Sequence, residues 1–184
     1  MPTLSFLIPS RDNFAGLLKM VRSVRSHPDS DELEIRVWFD DDDLTSITLA
    51  KNLEPLNVII HTGPRLKGYG SLGEFCTIMA EQSKCPWVCV ANDDNLIKGK
   101  SFVKGLQYQP TTGVYCTTEV YQLNASRYTD FYQFAFIPNG SWKEENPVIQ
   151  EPADHWLYES LVKRRGWRIH RLPKTIMVHE WRQR

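Results

Sequence analysis

The chain has little that would fix its function at sight. Its 184 residues hold only four cysteines, Cys76, Cys85, Cys89 and Cys116. Cys85 and Cys89 stand four apart, but no second close pair completes the ligand spacing of a structural zinc site. Cys89 lies in the apolar run WVCVA, where a small buried thiol is the ordinary role, and a reduced, cytoplasmic protein is the plainest expectation. Charge of one sign is not in excess, since 22 Lys plus Arg balance 22 Asp plus Glu. A neutral chain has no global field to gather nucleic acid, and no specific nucleic-acid partner is expected. No apolar run approaches the roughly 18 to 20 residues of a membrane span, so no transmembrane segment is expected. The opening MPTLSFLIPSRDN lacks a charged lead and a small-residue cleavage site, and reads as a strand rather than a signal peptide. Internal repeats, low-complexity stretches, a G-x-S-x-G elbow and an activated-cysteine signature are also missing, which removes local support for a serine or cysteine nucleophile.

What is present is a 41% hydrophobic chain, enough for one domain with a real core. SFLIP (5–9) reads as a buried strand, and Asp12 or Asn13 as the cap of a helix carrying Phe14, Leu17, Leu18, Val21 and Val24 at helical spacing. IRVWF (35–39) reads as a strand running into Asp40 to Asp43, followed by a helix over 44–53 and a strand NVIIHT (57–62). The segment GPRLKGYGSLG reads as an ordered loop, a helix starts near Leu72, and WVCVAN (87–92) is a strand ending at Asp93–Asp94. This alternation predicts a parallel sheet flanked by helices, which binds ligands beyond the C-terminal ends of its strands. Both aspartate clusters fall at such ends. Farther on, 113–123 and 131–138 read as strands, 139–151 as a polar loop, and about 153–165 as a helix stopped by Gly166. Two short strands are expected around Pro173.

Two adjacent carboxylates closing an apolar strand repel each other unless a cation neutralises them, and such oxygen donors suit Mg²⁺ or Mn²⁺ with diphosphate oxygens. Asn-Asp-Asp-Asn is equally good turn chemistry, and composition alone leaves both readings open. Asp40, which directly ends its strand, is the candidate to accept a base N–H, whereas Asp42 or Asp43 is placed to cap the next helix. The glycines around Arg65 and Lys67 would let backbone and cations approach phosphate. GYGSLG does not follow its strand directly, so a dinucleotide site is rejected. His61, His155 and His170 show no spacing that pairs them, and a helix-capping role suits Asp154.

In their order and spacing these segments resemble glycosyltransferase family 2 and its GT-A relatives over nearly the whole chain. SFLIPSRDN is similar to the family's first strand and turn, VWFDDDD to the strand ending in a base-binding aspartate, and KCPWVCVANDDNLI to the strand carrying the DxD-type metal motif. That last stretch is especially similar to the T-D-D-N version in the bacterial spore-coat polysaccharide glycosyltransferase. ADHWLYESLVKRRGWRIHRLPKTIMVHEW is similar to the family's late helix, G-[WY]-[RK] turn and terminal histidine. The resemblance implies an α/β GT-A fold: a single Rossmann-like domain with a mostly parallel central sheet flanked by helices and a small antiparallel C-terminal part. Residues 1–95 would be the nucleotide-binding half and 96–184 the acceptor and catalytic half. It implies an enzyme moving sugar, by inversion, from a nucleoside-diphosphate sugar, UDP-sugar foremost, to a glycan, lipid-linked or small-molecule hydroxyl, with Mn²⁺ or Mg²⁺. By the same resemblance Pro9, Ser10 and Arg11 line the nucleotide pocket with Asp40 on the base and Arg65 or Lys67 on the diphosphate. Asp93 meets ribose or metal, Asp94 the metal, His179 is a further metal or diphosphate ligand, and Asp154 is the catalytic base. Two departures stand out: Asn92 replaces the first metal-motif aspartate, and Ala153–Asp154 replaces the usual E-D pair. A partner chain or a homo-oligomer would supply part of the acceptor site of so short a chain. The rival expectations are a sugar-nucleotide nucleotidyltransferase, for which SRDNFAG is a poor phosphate loop, and a non-catalytic nucleotide-sugar binding module.

Overall fold

The computed structural model describes residues 1–65, 70–109, 113–121, 135–145 and 158–179. Strand β1 (Leu4–Ser10) leads to helix α1 (Phe14–Arg25), β2 (Leu33–Asp40), α2 (Leu44–Leu49) and β3 (Ile59–Gly63). Helix α3 (Gly70–Gln82), β4 (Trp87–Val90), β5 (Asn95–Gly99) and α4 (Val103–Gln107) follow. The remainder is β6 (Gly113–Tyr121), β7 (Ala135–Pro138), α5 (Asn139–Glu145), a π-helical segment Tyr158–Arg164 and β8 (Arg168–His179). All eight strands form one sheet in the order β3-β2-β1-β4-β7-β6-β8-β5.

The first four strands of that order run parallel, so their C-terminal ends share one edge. Two apolar layers cover the sheet. Alternate residues Leu4, Phe6 and Ile8 of β1 with Ile35, Val37 and Phe39 of β2 pack against Leu17, Met20, Val21 and Val24 of α1. The opposite face carries Leu7, Trp38 and Val88 against Phe75, Cys76, Met79 and Ala80 of α3 and Trp142 of α5. This is the period-2 alternation of strands between two helical layers. Trp38 stacks on Phe75 with ring centroids 4.5 Å apart. A Cβ on Gly63 would lie 2.5 Å from the Trp38 ring, so the end of β3 has to be glycine for the indole to lie flat there.

The far part of the sheet is mixed. β7 pairs antiparallel with both β4 and β6, and β5 pairs antiparallel with β8, whereas β6 and β8 are parallel. The expected pair of strands around Pro173 is one element with a register shift. Arg168 to Arg171 pair with Gly113 to Cys116, and Ile176 to His179 pair with Thr118 to Tyr121. Residues 172–175, Pro173 included, have no partner on β6, and Pro173 has no N–H to donate to that ladder; Thr175 pairs with Gly99 of β5 instead. The expected polar loop at 139–151 begins instead as α5. Asn139 donates from Nδ2 to the carbonyls of Ala80, Ser83 and Cys85, and buried Trp142 donates to Thr77 Oγ1 at 3.2 Å. Tertiary anchoring therefore overrides the turn-like composition of NGS. The helix expected over 44–53 is α-helical only to Leu49 and tightens into a 3-10 turn, Ala50–Leu56, which carries Pro55. Strand β5 and helix α4 were not expected.

A buried polar cluster ties β2, β3 and α3 together away from the C-terminal edge. Arg36 donates to Glu34 Oε1 at 2.6 Å and to the Gln82 carbonyl at 2.9 Å, and its Nη1 lies 3.3 Å from His61 Nε2. Burial pushes Glu34 up, but the hydrogen bonds from Arg36 and Ser83 outweigh it and hold the carboxyl below its usual range. Burial first, and Arg36 second, push His61 below its ordinary 6.5. Folded His61 thus holds fewer protons than the unfolded chain in the window beneath 6.5, so stability falls as pH drops through that window. Wild type is expected to lose denaturant stability between about pH 7 and pH 5, and His61→Gln to lose less of it. Equal losses in the two proteins would contradict the burial assignment.

Candidate functional site

The C-terminal ends of β1, β2 and β4 meet where the strand order reverses, at β1 between β2 and β4, the crevice position of open α/β sheets. Each strand delivers one acidic or cationic segment there. β1 delivers Pro9, Ser10 and the loop Arg11–Asn13, β2 delivers Asp40 to Asp43, and β4 delivers the turn Asn92–Asn95.

Asp93 joins two of these segments. Its Oδ2 accepts from Ser10 Oγ at 2.7 Å and its Oδ1 from Asn13 Nδ2 at 2.9 Å. Asn13 is also the N-cap of α1, its Oδ1 accepting from the Gly16 N–H. One amide therefore starts the helix with its oxygen and holds Asp93 with its nitrogen. The cap was legible in the sequence as Asp12 or Asn13. The second bond was not, because nothing local places residue 93 beside residue 13.

The turn carrying Asp93 and Asp94 is closed from both sides. The Asn95 N–H donates to the Asn92 carbonyl at 3.3 Å, and the Asn92 N–H donates to Asn95 Oδ1 at 2.7 Å. Asn95 is fully buried, so its side chain fixes the turn from inside. The β5–β8 register sets His179 opposite Asn95, which brings the end of β8 to one residue from Asp94. Asp94, Asn95 and His179 are thus neighbours along the backbone although 84 positions separate Asn95 from His179.

Arg11 joins β1 to β2. It donates to Asp40 Oδ2 at 2.9 Å, to Asp42 Oδ1, and to Asp42 Oδ2 at 3.2 Å. These carboxylates raise the already high Arg11 value, and the same hydrogen bond, chief among the causes, holds Asp42 below its usual range. Arg65 stands 3.7 Å from Asp42, more than half exposed. Asp43 proves to be the cap. Its Oδ1 accepts from the Ser46 N–H and its Oδ2 from the Asp12 N–H at 3.0 Å. Asp12 has φ of +52°, a left-handed conformation that aspartate tolerates better than most residues. Burial raises Asp43, but these donors outweigh it and keep the carboxyl below its ordinary range.

The structure thus brings Ser10, Arg11, Asp40, Arg65, Asp93 and Asp94 to one edge, with Pro9 the last residue but one of β1. Lys67 and Asp154 lie outside the described residues, and for His179 only the backbone is placed. Among the described residues no group of three or more His, Cys, Asp or Glu is arranged to hold a metal ion. Mg²⁺ and Mn²⁺ sites of the phosphate-binding kind need only one or two carboxylates, with the ligand's phosphates as the rest, so the Asp93–Asp94 turn fits that chemistry. His61, for which the sequence offered no partner, belongs to the Arg36 cluster instead.

No family model matches the chain, and no curated protein matches it in sequence. Solved structures match it in fold. Residues 1–349 of S. aureus TarS in complex with UDP superpose with a TM-score of 0.70 at 10% identity, over 96% of this chain and 60% of that one. The complex of the same TarS fragment with UDP-GlcNAc gives 0.69 at 9% identity, over 98% of this chain and 60% of that one. The mannosyltransferase PcManGT from Pyrobaculum calidifontis, in complex with GDP-Man and Mn²⁺, gives 0.71 at 10% identity, over 100% of this chain and 58% of that one. The chain spans about 60% of the length of the TarS fragment and of PcManGT, and 35% of the longer TarS chain. The architecture is the α/β GT-A fold, with its mostly parallel sheet flanked by helices.

The Asn95 clasp makes a direct prediction. Asn95→Ala removes the acceptor of the Asn92 N–H inside the core and should cost about 1–3 kcal/mol, read as a lower denaturant midpoint at constant slope. An unchanged midpoint would mean that the clasp does not hold the turn.

Proposed function

We propose that this chain is a metal-dependent glycosyltransferase domain of the family 2 type. In this reading it moves sugar from a nucleoside-diphosphate donor to a hydroxyl acceptor with inversion. The observation that carries the reading is the convergence of Asp40, Arg11, Asp93 and Asp94 at the C-terminal edge of β1, β2 and β4. The fold likeness to proteins in complex with UDP, UDP-GlcNAc and GDP-Man supports it.

Asp40, at the end of β2, accepts an N–H of the base, and Pro9 and Ser10 form the floor beside it. Asp93 keeps its oxygens on Ser10 and Asn13, so it shapes the ribose side of the pocket, and metal ligation falls mainly to Asp94 with His179 across the β5–β8 pair. A divalent cation held there, Mn²⁺ or Mg²⁺, supplies charge neutralisation to the diphosphate leaving group. Arg65 and Lys67 meet the same phosphates as charge-assisted donors. Asp154 takes the proton from the attacking acceptor hydroxyl, a role that typically contributes about 10²- to 10⁴-fold. Residues 1–95 hold the donor and 96–184 present the acceptor side, with a second copy of the chain completing it. UDP-sugar is the favoured donor, and the cytoplasm the place of action.

The assignment of the base predicts that Asp154→Asn lowers turnover by about 10²- to 10⁴-fold while leaving nucleoside-diphosphate affinity nearly unchanged. Single-turnover transfer and equilibrium titration on the same preparation separate the two. Full turnover in Asp154→Asn would remove Asp154 from the mechanism.

A further inference from the structure

Arg11 stands where the proposed base-binding carboxylate has to be free. Its Nη1 is shared between Asp40 Oδ2, at 2.9 Å, and Asp42 Oδ1, while its Nη2 rests on Asp42 Oδ2 at 3.2 Å. The guanidinium therefore holds Asp42 with both prongs of its fork and Asp40 with one shared nitrogen. Side-chain exposure falls from 48% at Asp42 through 31% at Arg11 to 11% at Asp40, so the guanidinium stands on the solvent side of Asp40. The loop that carries it is pinned on both flanks, by Ser10 and Asn13 on Asp93 and by the Asp12 N–H on Asp43. Motion is left mainly to the Arg11 side chain itself.

We propose that Arg11 is a specificity-determining residue, a plug on Asp40 that a nucleoside diphosphate displaces and a bare nucleoside displaces poorly. The proposal rests on the nucleotide reading above. A base N–H and the Arg11 guanidinium compete for one carboxylate. A neutral nucleoside must break the ion pair and offers the cation nothing in return. A diphosphate brings anionic oxygens, which form charge-assisted contacts with the guanidinium N–H groups that Asp42 does not hold. Arg65, 3.7 Å from Asp42, adds a second cation on the same side. The bidentate grip on Asp42 keeps Arg11 within the site when its single contact with Asp40 is lost. Base recognition thus becomes conditional on the phosphates, and free nucleosides are discriminated against.

The test is calorimetric titration, with Mn²⁺ present, of uridine, guanosine, UDP and GDP into wild type, Arg11→Gln and Arg11→Gln/Asp40→Asn. Arg11→Gln should bind the nucleoside of the preferred base about tenfold more tightly than wild type, the scale of one charge-assisted contact. It should bind the matching diphosphate less tightly, and the gain for the nucleoside should vanish in the double variant. Arg11→Lys, which keeps the charge without the fork, should fall between wild type and Arg11→Gln and preserves the comparison if Arg11→Gln is poorly folded. Nucleoside affinity that stays the same or falls in both single variants would overturn the plug while leaving the nucleotide site standing. Wild type that binds neither diphosphate would overturn the nucleotide reading and this inference with it.

Discussion

Seven carboxylates, Asp12, Asp40 to Asp43, Asp93 and Asp94, crowd one edge of the sheet, and their mutual repulsion is the constraint that the surrounding structure has to offset. The offsets are specific. Arg11 bridges Asp40 and Asp42, Asp43 takes two backbone N–H groups, and Asp93 takes a hydroxyl and an amide. Each offset also joins two segments that are distant in the chain. Neutralising the edge and assembling it are therefore one process. The β1–α1 loop is held to β2 through Arg11 and Asp43, and to β4 through Asp93.

This arrangement divides the labour among residues that look alike in sequence. Asp40, Asp42, Asp43, Asp93 and Asp94 are chemically the same side chain, but the structure gives them different partners. Asp43 is a helix cap and a clamp on left-handed Asp12. Asp93 is the acceptor that gathers Ser10 and Asn13. Asp94 sits beside it in a turn fixed from the core by Asn95 and is the proposed cation ligand. Arg36, Glu34 and His61 form a separate polar cluster that holds the sheet to α3 and takes no part in the edge.

The parallel half of the fold was legible because β1, β2 and β4 are largely buried on both faces and read as short apolar runs, as in SFLIP and IRVWF. The helix α1 was legible from spacing and from its cap. That these carboxylates gather at one edge was legible, since Asp40 ends β2 and Asp93–Asp94 follow β4, two strands expected to run parallel. The site's wiring was not, because Asn13 to Asp93 and Arg11 to Asp40 are contacts of 80 and 29 positions, with no local signature. Helix α5 was missed because Asn139 and Trp142 act through α3 and not through their neighbours. Strand β5 was missed because NLIKG is short and half polar, and its pairing with β8 is set from the far end of the chain. The two runs around Pro173 were legible as strands, but their union across a register shift depends on β6.

The central claim is that this edge binds a nucleoside diphosphate together with a divalent cation held by Asp94. Titration of UDP and GDP into wild type and Asp94→Asn, each with Mn²⁺ and then with chelator, tests it most directly. The account predicts diphosphate binding to wild type that weakens at least about tenfold when the metal is removed, and binding to Asp94→Asn that no longer responds to metal. Binding to neither diphosphate in the presence of Mn²⁺, or an equal metal response in the two proteins, would contradict it.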